Sequence, residues 1–175
     1  MLVEKLNLAI RDIPDFPKPG IIFKDITPIL KNPQLCMEVV EEFVTRLEGT
    51  EVDVVVGIES RGFLFGLMLA NRLGVPFVPI RKQGKLPYQT IAESYKLEYG
   101  QATIEIHTDA FESDARVLIH DDLLATGGTV VAASKLIEKS GARIVGFTFV
   151  ISLDFLHAKG RLTRFSEKII SLVQY

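Results

Sequence analysis

The apolar residues of this chain recur with two periods, one typical of amphipathic helices and one typical of strands buried on both faces. A short opening helix is predicted from four positions at helical spacing: Val3, Leu6, Ile10 and Ile13. Three prolines between residues 14 and 20 then predict a loop, because proline interrupts regular structure. The next helix is expected to begin at Asn32-Pro33, since asparagine is a preferred N-cap and proline is tolerated in the first turn. Its predicted buried stripe comprises Leu35, Val39, Val40, Phe43 and Leu47.

Beyond residue 32, the predicted helices and strands alternate along the chain. We predict helices over residues 33–49, 62–73 and 129–140, and a less defined helical stretch before the last strand. Strands are predicted over residues 52–58, 76–80, 94–98, 103–107, 116–120, 143–153 and 169–173. The third and fourth of these form a hairpin around Tyr99-Gly100. This alternation predicts an α/β fold with a central, mostly parallel sheet flanked by helices, whose ligands bind beyond the carboxyl ends of the strands.

Length and composition fit one globular domain over residues 1–175. The chain is 47% hydrophobic and 24% charged, and its formal net charge of −2 argues against a general nucleic-acid or anionic-membrane binder. A single cysteine, Cys36, excludes an intramolecular disulfide and is consistent with a reducing compartment.

A positive mean hydropathy of +0.25 is consistent with a membrane segment, a large core or a buried subunit interface. The most apolar stretch, residues 63–70, is bounded by Arg61 and Arg72 and is far shorter than the roughly 20 residues of a spanning helix. The charged residues of the first turns are not those of a signal peptide. We therefore expect a soluble, cytoplasmic protein without membrane or nucleic-acid partners.

The segment after residue 120 contains the highest density of residues that could bind a ligand. A buried strand leads into two adjacent carboxylates, Asp121 and Asp122, and then into a Gly/Thr-rich turn that opens a helix. A helix N-terminus offers unpaired backbone N–H groups and a positive partial charge, and glycines allow close approach to a ligand. Together with the hydroxyls of Thr126 and Thr129, this pattern is typical of a phosphate cradle.

The acidic pair distinguishes this segment from a plain turn. Gly127-Gly128 before a helix is by itself also typical of an ordinary turn. No lysine follows the glycines, so the segment is not a P-loop, and no G-x-G-x-x-G dinucleotide fingerprint is present. Two adjacent carboxylates repel each other unless a cation or ligand hydroxyls compensate them. A sugar phosphate satisfies both halves of the motif, with its hydroxyls on the carboxylates and its phosphate on the loop.

The segment Asp-Asp-Leu-Leu-Ala-Thr-Gly-Gly-Thr, residues 121–129, resembles the phosphoribosyl pyrophosphate (PRPP) signature of the type I phosphoribosyltransferases, in the variant of their adenine-specific members. The resemblance covers about residues 3–173 and implies the type I phosphoribosyltransferase fold. A small N-terminal hood is implied over about residues 1–32, and a flexible lid hairpin over about residues 81–105. The implied contacts to the ribose phosphate of PRPP or AMP are Asp121, Asp122, Ala125, Thr126, Gly127, Gly128 and Thr129.

A second strand–turn–helix, residues 54–62, resembles the pyrophosphate-binding loop of that family, although the arrangement is also common as a plain structural unit. Residues 81–87 place three cations within five positions, which is typical of a solvated loop or, by resemblance, of a mobile lid that meets pyrophosphate. The implied pyrophosphate contacts are Glu59, Ser60, Arg61, Arg81, Lys85 and Tyr99. Arg61 and Lys85 are implied to serve catalysis as well.

Residues 17–28 resemble the hood of the adenine-specific members. The resemblance implies an adenine pocket formed by Ile22, Phe23, Lys24 and Leu123. Phe23 stacks on the purine in this interpretation, with Leu123 on the other side, while backbone groups of Ile22 and Lys24 read its edge. Many relatives carry arginine where this chain has Lys24, and a backbone contact survives that change.

The purine must lose its N9 proton during transfer, which requires a general base or a hydrogen-bonded relay. Hypoxanthine-type members carry a carboxylate where this chain has Ala125, so the group must come from elsewhere. Glu98 lies in the stretch that resembles the lid hairpin and is implied to be the acid/base residue, whereas by its position alone it is a surface glutamate. Mg²⁺ is the implied cofactor, held mainly by PRPP and water near Asp121 and Asp122. His120 departs from the family pattern and is expected to be a hydrogen-bonded core residue.

The implied reaction is transfer of the 5-phosphoribosyl group from PRPP to adenine, giving AMP and pyrophosphate. Two alternatives stay open: the same chemistry with hypoxanthine, guanine or xanthine, and a non-catalytic PRPP or nucleotide sensor on the same fold. Ala125 and the hood argue against the first alternative, and the lack of an added DNA-binding domain or basic face argues against the second. A homodimer is also implied, with residues 63–68 as interface material.

Overall fold

The computed structural model describes residues 1–97 and 100–175 and contains one large and one small β-sheet. The strands are β1 (Arg11–Pro14), β2 (Ile22–Asp25), β3 (Val54–Ile58), β4 (Phe77–Lys82), β5 (Thr90–Lys96), β6 (Gln101–His107), β7 (Arg116–Leu124), β8 (Arg143–Ser152) and β9 (Ile169–Gln174). The helices are α1 (Leu2–Ala9), α2 (Thr27–Leu30), α3 (Pro33–Arg46), α4 (Gly62–Leu73), α5 (Gly128–Lys139) and α6 (Lys159–Leu162), with a 3₁₀ turn at Asp154–Leu156. Within these residues, no helix combines the length and apolarity needed to cross a bilayer.

The large sheet has the strand order β5-β6-β4-β3-β7-β8-β9. Strand β3 pairs in parallel with β4 and β7, and the pairs β7–β8 and β8–β9 are parallel as well. The predicted hairpin of β5 and β6 joins this sheet antiparallel to β4. The expected mostly parallel sheet is confirmed. Its parallel strands β3, β4 and β7 place their carboxyl ends along one edge, which is where ligands bind in such sheets.

Two apolar clusters cover the two faces of the sheet. On one face, α5 packs against buried residues that include Val56, Val117 and Ile119. On the other face, α1, α3 and α4 pack against the alternate residues, including Val55 and Leu118. Side chains alternate between the faces of a strand, so central strands covered on both sides read as continuous apolar runs.

Helix α3 follows its predicted pattern closely. All five residues of its apolar stripe are buried: Leu35, Val39, Val40, Phe43 and Leu47. The Asn32 side chain caps the helix by accepting a hydrogen bond from the Leu35 backbone N–H at 3.1 Å. The predicted start of this helix is therefore confirmed.

Several predicted boundaries are wrong. The first strand of the hairpin, predicted over residues 94–98, spans Thr90–Lys96, and the helix predicted over residues 33–49 ends at Arg46. The opening helix ends at Ala9, and Ile13 lies instead on β1, where it pairs with Phe23 of β2 in a small antiparallel sheet. Strand β7, predicted to end at His120, continues to Leu124, because its pairing with β8 continues as far as Ser152. Both carboxylates of the acidic pair therefore lie on a central strand rather than on a loop.

Candidate active site

A cleft of about 450 Å³ opens at the carboxyl ends of β3 and β7. Its walls bring together five segments that are far apart in the sequence. They comprise Ile58, Glu59, Ser60, Arg61, Lys82, Tyr95, Ile104, Asp121, Asp122, Leu123, Ala125 and Thr129. Eight of these residues are predicted site residues, so parts of the two predicted anion-binding turns line the same cleft as the acidic pair.

The acidic pair is held close together by its surroundings. Asp122 is 3% exposed, and its Oδ2 lies 2.6 Å from Arg61 Nε in an ion pair that lacks the angle of a hydrogen bond. The Oδ1 atom of Asp121 accepts a hydrogen bond from the Asp122 backbone N–H at 2.8 Å. Arg61 offsets one negative charge, while the neighbouring charge stays in an unfavourable, low-dielectric environment.

The protonation of Asp121 reflects this environment. Burial raises the pKa of Asp121 well above its usual range, and the neighbouring Asp122 carboxylate raises it further. The backbone N–H of Asp122 and the charge of Arg61 act in the opposite direction without outweighing these two effects. A strongly perturbed carboxyl group that lines a cleft is a frequent mark of a functional site.

We expect the substitution Asp121→Asn to stabilise the protein increasingly as the pH rises. Unfolded Asp121 ionises near pH 3.9, whereas the folded residue keeps its proton to higher pH. The free energy of unfolding therefore decreases as the pH rises from about 3.9 to the pKa of the folded residue. Asparagine carries no such loss. Urea unfolding of wild type and variant at pH 5 and pH 8 measures the effect. The exposed Asp109→Asn is the control, and a stability difference that does not grow with pH for D121N would contradict this expectation.

His120, directly before the pair, is fully buried. Burial lowers the pKa of His120 to about 3, so the ring is neutral at physiological pH. Its Nδ1 lies 3.0 Å from Thr148 Oγ1, and the ring packs edge-on against Phe43 with centroids 5.5 Å apart. His120 is therefore the hydrogen-bonded core residue that the sequence predicts.

The Gly/Thr-rich turn forms a smaller cavity of about 80 Å³ at the start of α5. It is lined by Asp121, Leu123, Ala125, Thr126, Gly127, Gly128, Thr129 and Val130. Gly127 has a φ of +79°, and a Cβ at this position would lie 3.2 Å from the Cβ of Ala158, so a side chain is disfavoured twice. Arg161 Nη1 donates to the Thr126 carbonyl oxygen at 2.8 Å and holds the turn from outside. A glycine-containing helix start of this kind suits a phosphate group.

The turn after β3 brings a second helix start to the same cleft. Gly62, the first residue of α4, packs so closely against β7 that a Cβ would lie 2.9 Å from the His120 carbonyl oxygen. The same Cβ would lie 3.1 Å from Asp121 Oδ1. Ser60 and Arg61 immediately precede this contact and line the cleft. The positive ends of α4 and α5 therefore both border the acidic pair.

Glu59 anchors the beginning of the predicted lid. Its Oε2 accepts a hydrogen bond from the Lys82 backbone N–H at 2.9 Å and another from Arg81 Nε at 3.2 Å. Burial by itself would raise the pKa of Glu59, but these contacts outweigh it and hold the pKa below its ordinary value. Arg81 also donates to the Lys85 carbonyl oxygen at 3.1 Å, while Lys85 itself is exposed and does not line the cleft. The lid loop is thus folded against the second anion turn.

Three polar residues in or beside the cleft, together with Ile58 and Ile104 of its wall, are absent from the predicted site residues. Tyr95 of β5 accepts a hydrogen bond from Thr129 Oγ1 at 3.1 Å, which joins the lid hairpin to the phosphate turn. Glu105 is 5% exposed and accepts hydrogen bonds from two backbone N–H groups of the lid loop. Lys82 lines the cleft directly. The alternating pattern of the hairpin is the one available signal for Tyr95, and nothing in the sequence distinguishes Lys82 from its neighbouring cations.

The hood approaches the cleft through Phe23. The guanidinium carbon of Arg61 lies 4.9 Å from the centre of the Phe23 ring, which is a cation–π contact. Leu123 lines the cleft, whereas Ile22 is 57% exposed on β2 and the Lys24 side chain forms an ion pair within the hood. Three of the four predicted base-binding residues thus lie on the short strand β2, where Phe23 contacts Arg61 of the cleft wall, and the fourth, Leu123, lies on β7.

Two predicted residues, Glu98 and Tyr99, lie outside the described residues, and their roles stay predictions. Within residues 1–97 and 100–175, no group of three or more His, Cys, Asp or Glu side chains could hold a metal ion by itself. Mg²⁺ prefers oxygen ligands, keeps several waters and is frequently shared with substrate phosphates. The carboxylates of Asp121 and Asp122 therefore fit a Mg²⁺ ion that is held jointly with a substrate and water.

A parallel sheet that presents an acidic pair and two helix starts at one edge defines a site for a sugar phosphate with a second anionic group. The Phosphoribosyl transferase domain family matches residues 25–172. An adenine phosphoribosyltransferase from Cytophaga hutchinsonii is 53% identical over 175 residues, which is 100% of this chain and 97% of that protein. The chain therefore belongs to the phosphoribosyltransferase family, and within it to the adenine phosphoribosyltransferases.

Solved structures agree with this assignment. The crystal structure of the adenine phosphoribosyltransferase from Thermoanaerobacter pseudethanolicus matches with a TM-score of 0.95 at 48% identity and covers 99% of both chains. The enzyme from Trypanosoma brucei, solved in complex with AMP, pyrophosphate and ribose-5-phosphate, is 29% identical with a TM-score of 0.88. That match covers 99% of this chain and 79% of the Trypanosoma chain. The type I phosphoribosyltransferase fold implied by the sequence is confirmed.

Proposed function

We propose that this enzyme transfers the 5-phosphoribosyl group of PRPP to adenine in purine salvage, forming AMP and releasing pyrophosphate. One observation supports the assignment of its site: the acidic pair and the turn after β3 line one cleft, and the Gly/Thr-rich turn forms a small cavity that shares Asp121, Leu123, Ala125 and Thr129 with it. These three features match the ribose hydroxyls, the 5′-phosphate and the pyrophosphate of one PRPP molecule. We place the enzyme in the cytoplasm, where the buried thiol of Cys36 stays reduced.

The ribose phosphate is assigned to β7 and the turn that follows it. Asp121 and Asp122 accept hydrogen bonds from the ribose hydroxyls, each worth roughly 1.5–3 kcal/mol because the acceptor is charged. A ligand hydroxyl on Asp121 favours the ionised form that burial disfavours. The backbone N–H groups and hydroxyls of the turn from Ala125 to Thr129 receive the 5′-phosphate.

The pyrophosphate is assigned to the turn after β3 and to the lid. Glu59 and Ser60 shape this turn, and Arg61 lies between Asp122 and the Phe23 ring, so its guanidinium borders both the sugar and the base. Pyrophosphate leaves with a high negative charge, which cations fixed beside it stabilise as it develops. Arg61, Arg81 and Lys85 are the cations assigned to this role, with Tyr99 as a further contact.

The base is assigned to the hood. Adenine stacks on Phe23 and contacts Leu123, while backbone groups of Ile22 and Lys24 read its edge. The bond from purine N9 to the anomeric carbon forms as the bond from that carbon to pyrophosphate breaks, and the N9 proton passes to Glu98. Closure of the lid over this site excludes water from the reactive sugar.

Mg²⁺ supplies electrostatic help when it is bound, because it neutralises part of the pyrophosphate charge. Asp121 and Asp122 would hold the ion together with PRPP and water, since carboxylate oxygens suit it. The chain's own contribution is the fixed orientation of these two carboxylates on β7.

Formation of AMP from adenine and Mg-PRPP tests the proposed function. We expect turnover with adenine and much slower turnover with hypoxanthine, guanine or xanthine. Equal turnover of adenine and hypoxanthine would contradict the assignment of the base. Binding of PRPP without formation of AMP would favour the sensor alternative over an enzyme.

We also propose a homodimer that buries one face of α4. Leu64 and Leu67 are 42% and 48% exposed although both are large apolar side chains on one helical face, and Phe63 and Met68 lie half-buried beside them. Sedimentation should give a mass near twice 19.5 kDa, and Leu67→Glu should lower it towards one chain. Leu8→Glu is the matched control, because Leu8 is 89% exposed on α1. A wild-type mass near that of one chain would contradict the dimer.

A further inference from the structure

The hood strand β2 carries Phe23 on one face and Lys24 on the other, because side chains alternate along a strand. Phe23 contacts Arg61 of the cleft wall, so the Lys24 side chain lies on the face turned away from that contact. There the Lys24 side chain is only 14% exposed, and its Nζ donates to Asp12 Oδ1 at 2.7 Å. The Lys24 side chain is thus held by Asp12 on the face of β2 opposite Phe23, and β2 is the strand proposed to contact the base.

The same ammonium group lies 3.8 Å from the centre of the Tyr175 ring, a distance at which the ring quadrupole attracts a cation. Tyr175 is itself fixed to the end of β8. Its N–H donates to the Ser152 carbonyl oxygen at 3.0 Å, and its carbonyl oxygen accepts from the Asp154 N–H at 2.8 Å. Its Oη donates to Asn7 Oδ1 at 2.9 Å. Tyr175 therefore connects the central sheet to two elements of the hood, α1 and β2.

We infer that Tyr175 is a positioning residue for base recognition, which acts through Lys24. The ring holds β2 from behind, so that the backbone of Ile22 and Lys24 meets the purine in a fixed orientation. The inference rests on the proposed function, because the base contacts of β2 belong to it. Burial raises the pKa of Tyr175, so the hydroxyl keeps the proton that it donates to Asn7.

Two substitutions of Tyr175 separate the ring from the hydroxyl. Tyr175→Leu removes the aromatic face and should raise KM for adenine by roughly 3- to 30-fold, with kcat and KM for PRPP close to wild type. Tyr175→Phe keeps the face, loses only the bond to Asn7, and should retain the wild-type KM for adenine. This split between the two substrates, and the rescue by phenylalanine, would not follow from a general loss of stability.

Substitutions of Lys24 close the test. Lys24→Met should raise KM for adenine in the same way, although it also removes the ion pair with Asp12. The double variant K24M/Y175L should be no worse than the worse single variant, because both changes break the contact between the Lys24 ammonium and the Tyr175 ring. Lys31→Met is the matched control, since Lys31 is an exposed hood lysine at the end of α2. Additive effects of K24M and Y175L, or an equal rise of KM for PRPP, would overturn the inference.

Amide hydrogen exchange of residues 22–25 gives a readout that does not depend on catalysis. Exchange should be faster in Y175L and K24M than in wild type and Y175F. If wild type formed no AMP, the proposed function would fail, while these exchange rates would still decide the role of Tyr175. Unchanged exchange together with an unchanged KM for adenine in Y175L would refute it. If Y175L failed to fold, the comparison of K24M with K31M in KM for adenine and in amide exchange would test the same inference.

Discussion

Replacing both Asp121 and Asp122 by asparagine should lower kcat/KM for PRPP by roughly 10²–10⁴-fold. Two charge-assisted hydrogen bonds of about 1.5–3 kcal/mol each are weakened, while asparagine keeps the volume of the side chains. Equilibrium binding of adenine should stay close to wild type, because the base is assigned to the hood. Steady-state kinetics with varied PRPP and calorimetry with adenine measure the two effects.

The matched control for this variant is the pair D109N/D114N. It makes the same change in formal net charge at two exposed carboxylates that do not line the cleft. The control should keep its kcat/KM for PRPP. If it lost as much as D121N/D122N, a general charge effect would replace the assigned contacts. If D121N/D122N failed to fold, the acidic pair would be structural rather than substrate-binding.

The second large effect is expected for Glu98→Gln. This change should lower kcat by roughly 10²–10⁴-fold with both KM values close to wild type, because glutamine keeps the shape of the side chain and cannot take up the N9 proton. The pH dependence of kcat should lose the limb that reports ionisation of this group. Rates with saturating substrates from pH 5 to pH 9 provide the measurement.

Glu112→Gln serves as the control for the glutamate exchange, since Glu112 is exposed and away from the cleft. It should leave the rate and the pH profile as in wild type. Full activity of E98Q would contradict the acid/base role of Glu98. The residue would then be an ordinary surface glutamate, as its position alone suggests.

The helices around the cleft could be predicted because their signals are local. Helix α4 spans Gly62–Leu73 as expected, and α5 begins one residue before the predicted start, at Gly128. N-caps, glycines and apolar stripes depend on neighbours within a few residues. The positions of the predicted turns at the strand ends followed from the same local pattern, and the parallel sheet brought them together.

The wrong boundaries at Ile13 and at the acidic pair have a different physical origin. Ile13 fits the helical period, but pairing of β1 with β2 determines its conformation, and that pairing joins residues on either side of a proline-rich loop. Asp121 and Asp122 are typical of a turn, yet the neighbouring strand β8 extends β7 through them, with Asp121 opposite Phe149. Tertiary pairing overrides local preference in both cases.

Part of the site could not be predicted for a related reason. The carboxylate of Glu105 accepts hydrogen bonds from the backbone of Gly84 and Leu86, about twenty residues away, which a pattern of side chains does not encode. The link between Tyr95 and Thr129 likewise depends on how the hairpin lies against α5. Resemblance to a family identified the motifs, while these supporting contacts depend on tertiary structure.

The position of the acidic pair on β7 also determines at which stage the electrostatic cost of these two carboxylates arises. The unfavourable step of bringing two carboxylates together away from water occurs once, during folding, so each incoming sugar meets acceptors that need no rearrangement. The proposed pyrophosphate side consists instead of long cationic side chains, and one of them, Arg81 at the end of β4, is bonded to Glu59 and to the Lys85 carbonyl oxygen. On the proposed assignment, ribose is therefore recognised by carboxylates fixed on a central strand, whereas the leaving group is met by side chains that reach it from outside the sheet.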